Sequence, residues 1–515
     1  MTTALTRTSD PTPTAGGPSR RWGPTWLWAL GLVVLHLLVT FQVRPHPRWN
    51  DGLFVLNDAA SFPDLTRDLD HHALRIGTIL PTRLFLEVFG YGQVAYYAWP
   101  FLTGVLLVAA VFALGTLLFG RWVAAVATVL LVFHPALVDT VIKVGQERMT
   151  SWQLLPDIPS TAFVTLGLAL LVAGADRDRQ TGRSASTWWF LGAGLSVGWA
   201  YLVRELVVFV FPVVAVALLM WRAPLRRWVQ VAAGMLACLL LELVVNAWAH
   251  GDPLARLRVG SEHGSAPTDP ITRMDALLRF PRIVAVYPQT VAVLATLVLM
   301  VLGAVLLRGR GRVLMLVWFV SMWLPLTLVS GLLDPGYIRI NASLMRYWVP
   351  VLPALCLGAT AAVGEFLSRV RRHALAERPQ LGTAFIAAVA GLALALWCLP
   401  LVDDIAGNPR DRAWNAMREA LTANDARIDT VVTDDRDALV LGIYAREPLG
   451  GERVLHARVE RTGHDLRAAP PANGDAGRWL IWTPTMSKRP PRAEDGWQTV
   501  LRERQLRLYS PTPRG

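Results

Sequence analysis

Eleven apolar runs separated by short polar segments constrain this chain more than any other feature. They lie near 25–43, 94–119, 122–139, 156–174, 187–203, 206–221, 228–249, 287–307, 313–333, 347–364 and 383–401. A helix rises about 1.5 Å per residue, so roughly 20 apolar residues cross the hydrocarbon of a bilayer, and a helix satisfies its own backbone there. The predicted fold is therefore a polytopic α-helical membrane protein with about 11 transmembrane helices. Composition agrees: 53% of the 515 residues are hydrophobic, only 17% are charged, and 21 are tryptophan.

The net charge of +12 would suggest nucleic acid in a soluble chain. Here the arginines cluster between apolar runs, at 177–183, 222–227, 308–312 and 369–378. Short basic loops mark the cytoplasmic side, so topology explains the charge and no nucleic-acid partner is expected. The alternation puts the amino terminus inside and, after eleven crossings, the carboxyl terminus outside a cytoplasmic membrane. Residues 1–24, rich in Thr, Pro and Gly, read as a disordered cytoplasmic tail. "TFQVRPHPRW" lacks the small residues of a cleavage site, so the run at 25–43 reads as an uncleaved helix. Cys238, Cys356 and Cys398 sit inside apolar runs with no metal-ligand spacing.

Two domains follow: a membrane domain over 25–402, and a polar segment over 403–515 long enough for a small extracytoplasmic α/β domain. In the latter, "DRAWNAMREALTAN" repeats Trp414, Met417 and Leu421 at helical spacing, and "RIDTVVTD", "GRWLIWTP", "WQTVLRE" and "QLRLYS" read as strands.

The outward loops hold the charge that topology does not explain. The first, 44–93, is longer than a connector needs. It carries Asp51, Asp58, His71, His72 and Arg75, and then "TILPTRLFLEVFG", whose apolar residues share one face as in a helix lying on the membrane or an ordinary packed loop helix. Asp58, close beyond the first span, is a candidate proton acceptor, with Asp51 as its rival. Asp157 opens the fourth span between Pro156 and Pro159, as a helix cap or as a second functional acid. Lys143 and Arg148 lie in the second outward loop. Arg204 and Glu205 interrupt a long apolar stretch, and Arg346 and Tyr347 stand at the outer end of the tenth span. Ionisable residues at membrane depth are expensive and usually functional. Guanidinium forks suit a phosphate, though each arginine also fits an interfacial anchor.

Three of these segments resemble the GT-C superfamily of polyprenyl-phosphate-dependent glycosyltransferases, in particular bacterial proteins similar to protein O-mannosyltransferases and the aminoarabinose transferase. They are "NDAASFPDLTRDL" with "RIGTILPTRLFLEVFG", "LLPDIPSTAFVTLGLALL" and "MRYWVPVLPALCLGATA". The resemblance implies transfer of a sugar, with inversion, from a polyprenyl-phosphate carrier to a cell-envelope glycan, glycolipid or protein. It implies Asp58 and Asp157 as catalytic carboxylates, and Lys143, Arg148, Arg204, Arg346, Tyr347, His72 and Arg75 as substrate-binding residues. Relatives often have an acidic residue after the catalytic aspartate and a tyrosine a few places on. Here Ala59 follows Asp58 and Phe62 stands at the tyrosine's place, so no metal or other cofactor is predicted, although a divalent ion stays open. A flippase of lipid-linked saccharide would also need many spans and a charged cavity, but no internal inverted repeat is found. A non-catalytic scaffold would not need so much outward charge.

Overall fold

The computed structural model describes residues 25–43, 51–65, 69–134, 154–181, 186–262, 272–278, 291–307, 309–335, 345–374, 409–463, 466–472, 475–503 and 505–512, with positions 47, 137, 140, 141, 148 and 149 besides. The tail 1–24 and the run at 383–401 lie outside the described residues. The other runs fall on helices. Helix α1 is Thr25–Val43, α2 Asp51–Ser61, α3 Ile76–Phe89, α4 Gln93–Phe119 and α5 Arg121–Val132. An antiparallel pair of two-residue strands, β1 (Thr140–Val141) and β2 (Arg148–Met149), leads to α6 (Asp157–Thr181) and α7 (Thr187–Val203). A 3-10 turn, Glu205–Val210, runs into α8 (Phe211–Met220), followed by α9 (Leu225–His250), α10 (Ala255–Glu262), α11 (Val291–Leu302) and α12 (Arg310–Thr327). A second 3-10 turn, Met345–Val351, starts α13 (Leu352–Ala374).

Among the described residues, five helices are long and apolar enough to cross a membrane: Gln93–Phe119, Asp157–Gln180, Leu225–His250, Arg310–Leu332 and Arg346–Arg369. At 27 residues, α4 is about 40 Å long. This is a multi-pass membrane protein. The third run ends earlier than its apolar residues suggest, at Val132, because Pro135 follows close behind and disfavours helix in the residue before it.

Lipid is as apolar as leucine, so close packing rather than exclusion of water joins the helices. Where α7 crosses α9, a Cβ on Gly194 would stand 2.0 Å from the Val231 carbonyl oxygen, and one on Gly234 would meet the Leu191 carbonyl oxygen at 2.5 Å. Only glycines allow that approach. On α9 the inward face is Val231, Gly234, Cys238, Glu242 and Val245, whereas Leu236, Leu240, Val244 and Trp248 are exposed, as on a helix turned to lipid. The main core gathers Leu107, Val111, Leu168, Trp318 and Trp348 from α4, α6, α12 and the turn before α13.

Beyond the membrane helices, α14 (Pro409–Ala423) precedes β3 (Thr430–Asp434), α15 (Asp435–Tyr444), β4 (Arg458–Thr462), β5 (Arg478–Trp482), β6 (Trp497–Glu503) and β7 (Leu506–Pro511). The sheet order is β4-β3-β5-β7-β6, with β3 parallel to β4 and β5 and the last two strands antiparallel. This is the small α/β domain expected from the sequence. Helix α15 and strand β4 were not. The segment "DRDALVLGIY" has its apolar residues in one block, and helix forms because Asp434, at its start, accepts a hydrogen bond from the Asp437 amide at 2.6 Å. Strand β4, "RVERT", is charged because it lies at a sheet edge.

One apolar cluster joins the two parts. It holds Leu53, Leu56 and Ala59 of α2, Ile76 and Ile79 of α3, Tyr96 of α4 and Leu202 of α7, together with Trp414, Ile443, Tyr444 and Leu508 of the C-terminal domain.

Candidate active site

Where α7 stops, Arg204 turns to an extended conformation (φ −152°, ψ 128°), and the chain restarts as the 3-10 turn at Glu205. That break lies against α3. A Cβ on Gly77 would meet the Val203 amide nitrogen at 2.6 Å, so the start of α3, with Arg75 just before it, packs directly onto the broken end of α7.

The break sets a chain of alternating charges. Arg204 and Asp157, both 2% exposed at the side chain, form an ion pair. On Asp157's other oxygen, the Arg346 Nε stands at 3.6 Å. Arg346 in turn donates to Asp51 at 2.7 Å. The His72 Nε2 lies 3.9 Å from the second Asp51 oxygen, and its Nδ1 is 3.3 Å from an Arg75 guanidinium nitrogen. Arg75 reaches Glu205 at 3.7 Å, Arg256 also contacts Glu205 at 3.2 Å, and Arg256 closes on Glu242 of α9 at 2.5 Å. The Tyr347 ring lies beneath both guanidinium groups, 4.9 Å from that of Arg204 and 5.9 Å from that of Arg346, which favours cations electrostatically.

The carboxylates of Asp51, Asp157, Glu205 and Glu242 match the guanidinium groups of Arg75, Arg204, Arg256 and Arg346 in number, so this network is neutral before His72 is counted. Burying unpaired charge in low dielectric would cost several kcal/mol per ion, and the pairing offsets that cost.

Asp51 is 26% exposed at the side chain. Burial alone would raise its carboxyl, but Arg346, His72 and Arg75 outweigh this and hold it well below the usual carboxylate range. The sign follows. A carboxyl depressed on folding stabilises the native state at neutral pH, and that contribution fades as pH falls through the folded value. Asp51 is thus a fixed anion rather than a ready proton acceptor.

The sequence-predicted residues divide into three groups. Asp157, Arg204, Arg346, Tyr347, His72 and Arg75 are brought together. Asp58 lies two turns beyond Asp51 on the same face of α2, 2% exposed among the apolar residues of that helix. Lys143 lies outside the described residues, and of Arg148 only the backbone in β2 is described, although β1 of that pair touches the turn carrying Arg346. Sequence reasoning missed Glu242 and Arg256. Glu242 had a signal, a lone carboxylate inside "LLLELVV"; Arg256, in the polar "DPLARLRVG", had none. Asp70, His71 and His72 hold their ligand atoms within 4.8 Å of one another. His72 is already turned toward Asp51 and Arg75, and Asp70 caps the amides of His72 and Ala73 at 2.8 and 3.2 Å, so the local turn accounts for the trio.

Residues 78–249, from α3 to α9, match the family model of dolichyl-phosphate-mannose-protein mannosyltransferases. Among solved structures, ArnT from Cupriavidus metallidurans aligns over 96% of this chain and 100% of its own. The TM-score is 0.53 for its apo state and 0.51 for its complex with undecaprenyl phosphate, at 15% identity in both. The chain has the GT-C fold. The GT-C resemblance read from the sequence segments is thereby borne out at the level of fold. The oligosaccharyltransferase of Archaeoglobus fulgidus in its apo form is more distant, with a TM-score of 0.45, 13% identity, and coverage of 84% of this chain and 61% of its own. No curated protein sequence matches the chain significantly.

Proposed function

We propose that this GT-C chain moves a sugar from a polyprenyl-phosphate carrier to an acceptor on the outer face of the cytoplasmic membrane, with inversion at the anomeric carbon. The observation that carries the reading is the chain Asp51–Arg346–Asp157–Arg204, buried at Asp157 and Arg204 and partly exposed at Asp51, at the ends of the helices, in a fold shared with ArnT, which was solved with undecaprenyl phosphate bound. In this reading the acceptor hydroxyl or amine attacks the anomeric carbon as the bond to the phosphate oxygen breaks. The acceptor's proton passes to Asp58, and the guanidinium groups of Arg204 and Arg346 meet the charge that grows on the leaving phosphate. Asp157 orients both arginines. The acceptor is a cell-envelope glycan, glycolipid or protein, and no metal is assigned a step.

Purified protein given radiolabelled polyprenyl-phosphate sugars and a crude envelope acceptor tests this, and transfer without ATP is the expected result. Uptake of lipid-linked sugar across vesicles with no new glycosidic bond would instead make it a transporter.

The neutral network has a corollary. A phosphate brings charge that the four paired arginines do not balance, so further cations should face it; Arg148 belongs to β2 and Lys143 falls between β1 and β2 in sequence, and β1 adjoins Arg346's turn. Lys143→Gln should raise the donor KM about tenfold and leave kcat within a fewfold, the pattern of a contact made equally in ground and transition states. An unchanged donor KM would remove Lys143 from the site.

The orientation is open to a direct check. Reporter fusions should report Gly182 and Arg310 in the cytoplasm and Asp475 outside, following the basic loops. An Asp475 reporter active only inside the cell would invert the arrangement.

A further inference from the structure

Helix α2 has only 11 residues, too few to be stable alone. Its position is therefore set by what holds it. Arg346 grips Asp51 in its first turn. At its end, Arg83 of α3 donates to the Ala60 carbonyl at 2.5 Å. Between them, the Tyr91 hydroxyl donates to the Asn57 side-chain oxygen at 2.8 Å, immediately before Asp58.

Tyr91 is itself held from the C-terminal domain. Residues 446–453, "REPLGGER", form a hairpin: Arg446 bridges Arg453 antiparallel, and the Glu447 amide donates to the Glu452 carbonyl at 2.7 Å. It docks on the corner between α3 and α4 through backbone bonds, Gly450 N–H to the Phe89 carbonyl at 2.8 Å and Val94 N–H to the Pro448 carbonyl at 3.1 Å. The approach is so close that a Cβ on Gly90 would stand 2.2 Å from the Gly450 carbonyl oxygen, and one on Gly451 would stand 2.5 Å from the Tyr91 amide nitrogen. The Arg446 guanidinium covers the Tyr91 ring at 5.3 Å and is fixed by the Gly451 carbonyl at 2.9 Å. Arg418 of α14 ties the hairpin to its own domain through Glu447 at 3.2 Å.

We infer that the 446–453 hairpin positions the transfer site: by seating Arg446 over Tyr91 it fixes the phenol that holds Asn57, and so sets the rotation of α2 and the places of Asp51 and Asp58. Tyr91 is then a positioning residue, with Asn57 as its relay. Burial pushes the Tyr91 phenol up to about 12 against the pull of Arg446 and Arg461, so it remains a hydrogen-bond donor throughout the physiological range. The catalytic part of the inference rests on the proposed function; the mechanical part, that the hairpin holds α2, does not.

The test uses the full chain in liposomes. Tyr91→Phe keeps the ring and removes only the hydroxyl, and kcat should fall about tenfold, as for one lost hydrogen bond, with the donor KM within twofold of wild type. Hydrogen exchange should rise by a comparable factor in residues 51–61 and stay unchanged in α6 and α7. Gly451→Ala, which drives the hairpin off the corner, should give the same pattern of exchange. Asn57→Ala should cost at least as much as Tyr91→Phe, since it also loses the Nδ2 bond to the Leu53 carbonyl at 3.0 Å, and the double variant no more than Asn57→Ala alone, because the Tyr91–Asn57 bond is already gone there. Unchanged exchange in α2 for both Tyr91→Phe and Gly451→Ala, or losses that multiply in the double variant, would overturn the inference. If wild-type protein transferred no sugar from any polyprenyl-phosphate donor, the proposed function would fall, and the exchange measurements would still decide whether the hairpin holds α2.

Discussion

Asp58→Asn should lower turnover by roughly 10²–10⁴-fold, the usual contribution of a general base, while the donor KM stays near wild type. The substitution keeps the size of the side chain and most of its hydrogen bonding but removes the proton acceptor. Asp51→Asn is the comparison that gives the result meaning. Its carboxylate is held as an anion by Arg346 and anchors that guanidinium in return, so its loss should let Arg346 drift from the place where it meets the phosphate and show mainly as weaker donor binding. Steady-state kinetics on both variants separates the two roles. Near-normal turnover in Asp58→Asn with none in Asp51→Asn would exchange their assignments and leave sugar transfer standing. Normal turnover in both would remove α2 from the chemistry.

The second large effect is on stability. Arg204→Gln strands the Asp157 carboxylate, which is 1% exposed, with only the more distant Arg346 as a cation. Removing one partner of a buried pair typically costs about 3–5 kcal/mol. The variant should melt well below wild type in a thermal-shift assay in detergent. Adding Asp157→Asn neutralises the stranded charge and should recover most of the loss, although the double variant should still fail to bind donor. If Arg204→Gln melts like wild type, water or Arg346 alone supports Asp157, and the break after α7 is not stabilised by this pair.

Much of this was legible in residues alone. Apolar runs give the helices, since the bilayer tolerates few other patterns, and isolated charges inside or at the ends of such runs, Asp157, Arg204 and Arg346, converge as their cost predicts. Two kinds of fact were not legible. Which carboxylate pairs with which cation depends on the depth and rotation of helices, and periodicity carries no information on either between helices; hence Asp51, weighed only as a rival base, turns out to be Arg346's partner. Residues in polar segments also give no contrast. Arg256 and the hairpin at 446–453 read as ordinary solvated charge, and only tertiary contact gives them a place. Strand β4 and helix α15 escaped for a related reason, since an edge position and a single capping aspartate decide them rather than any repeat of apolar residues.

The docking of the hairpin on the corner at Tyr91 also fixes an order of events during synthesis. The corner and its hairpin are some 350 residues apart in the chain, and ribosomes add about 5–20 residues per second. Helix α2 therefore waits on the order of 20–70 s after Tyr91 is made before the hairpin is synthesised, and in the proposed topology the hairpin must then cross the membrane. A nascent or truncated chain ending before Arg446 would hold its carboxylates on a loosely seated helix. Under the proposed function and topology, competence for the reaction would begin only when the domain carrying residues 446–453 has been exported and folded, which ties the onset of activity to docking of that hairpin.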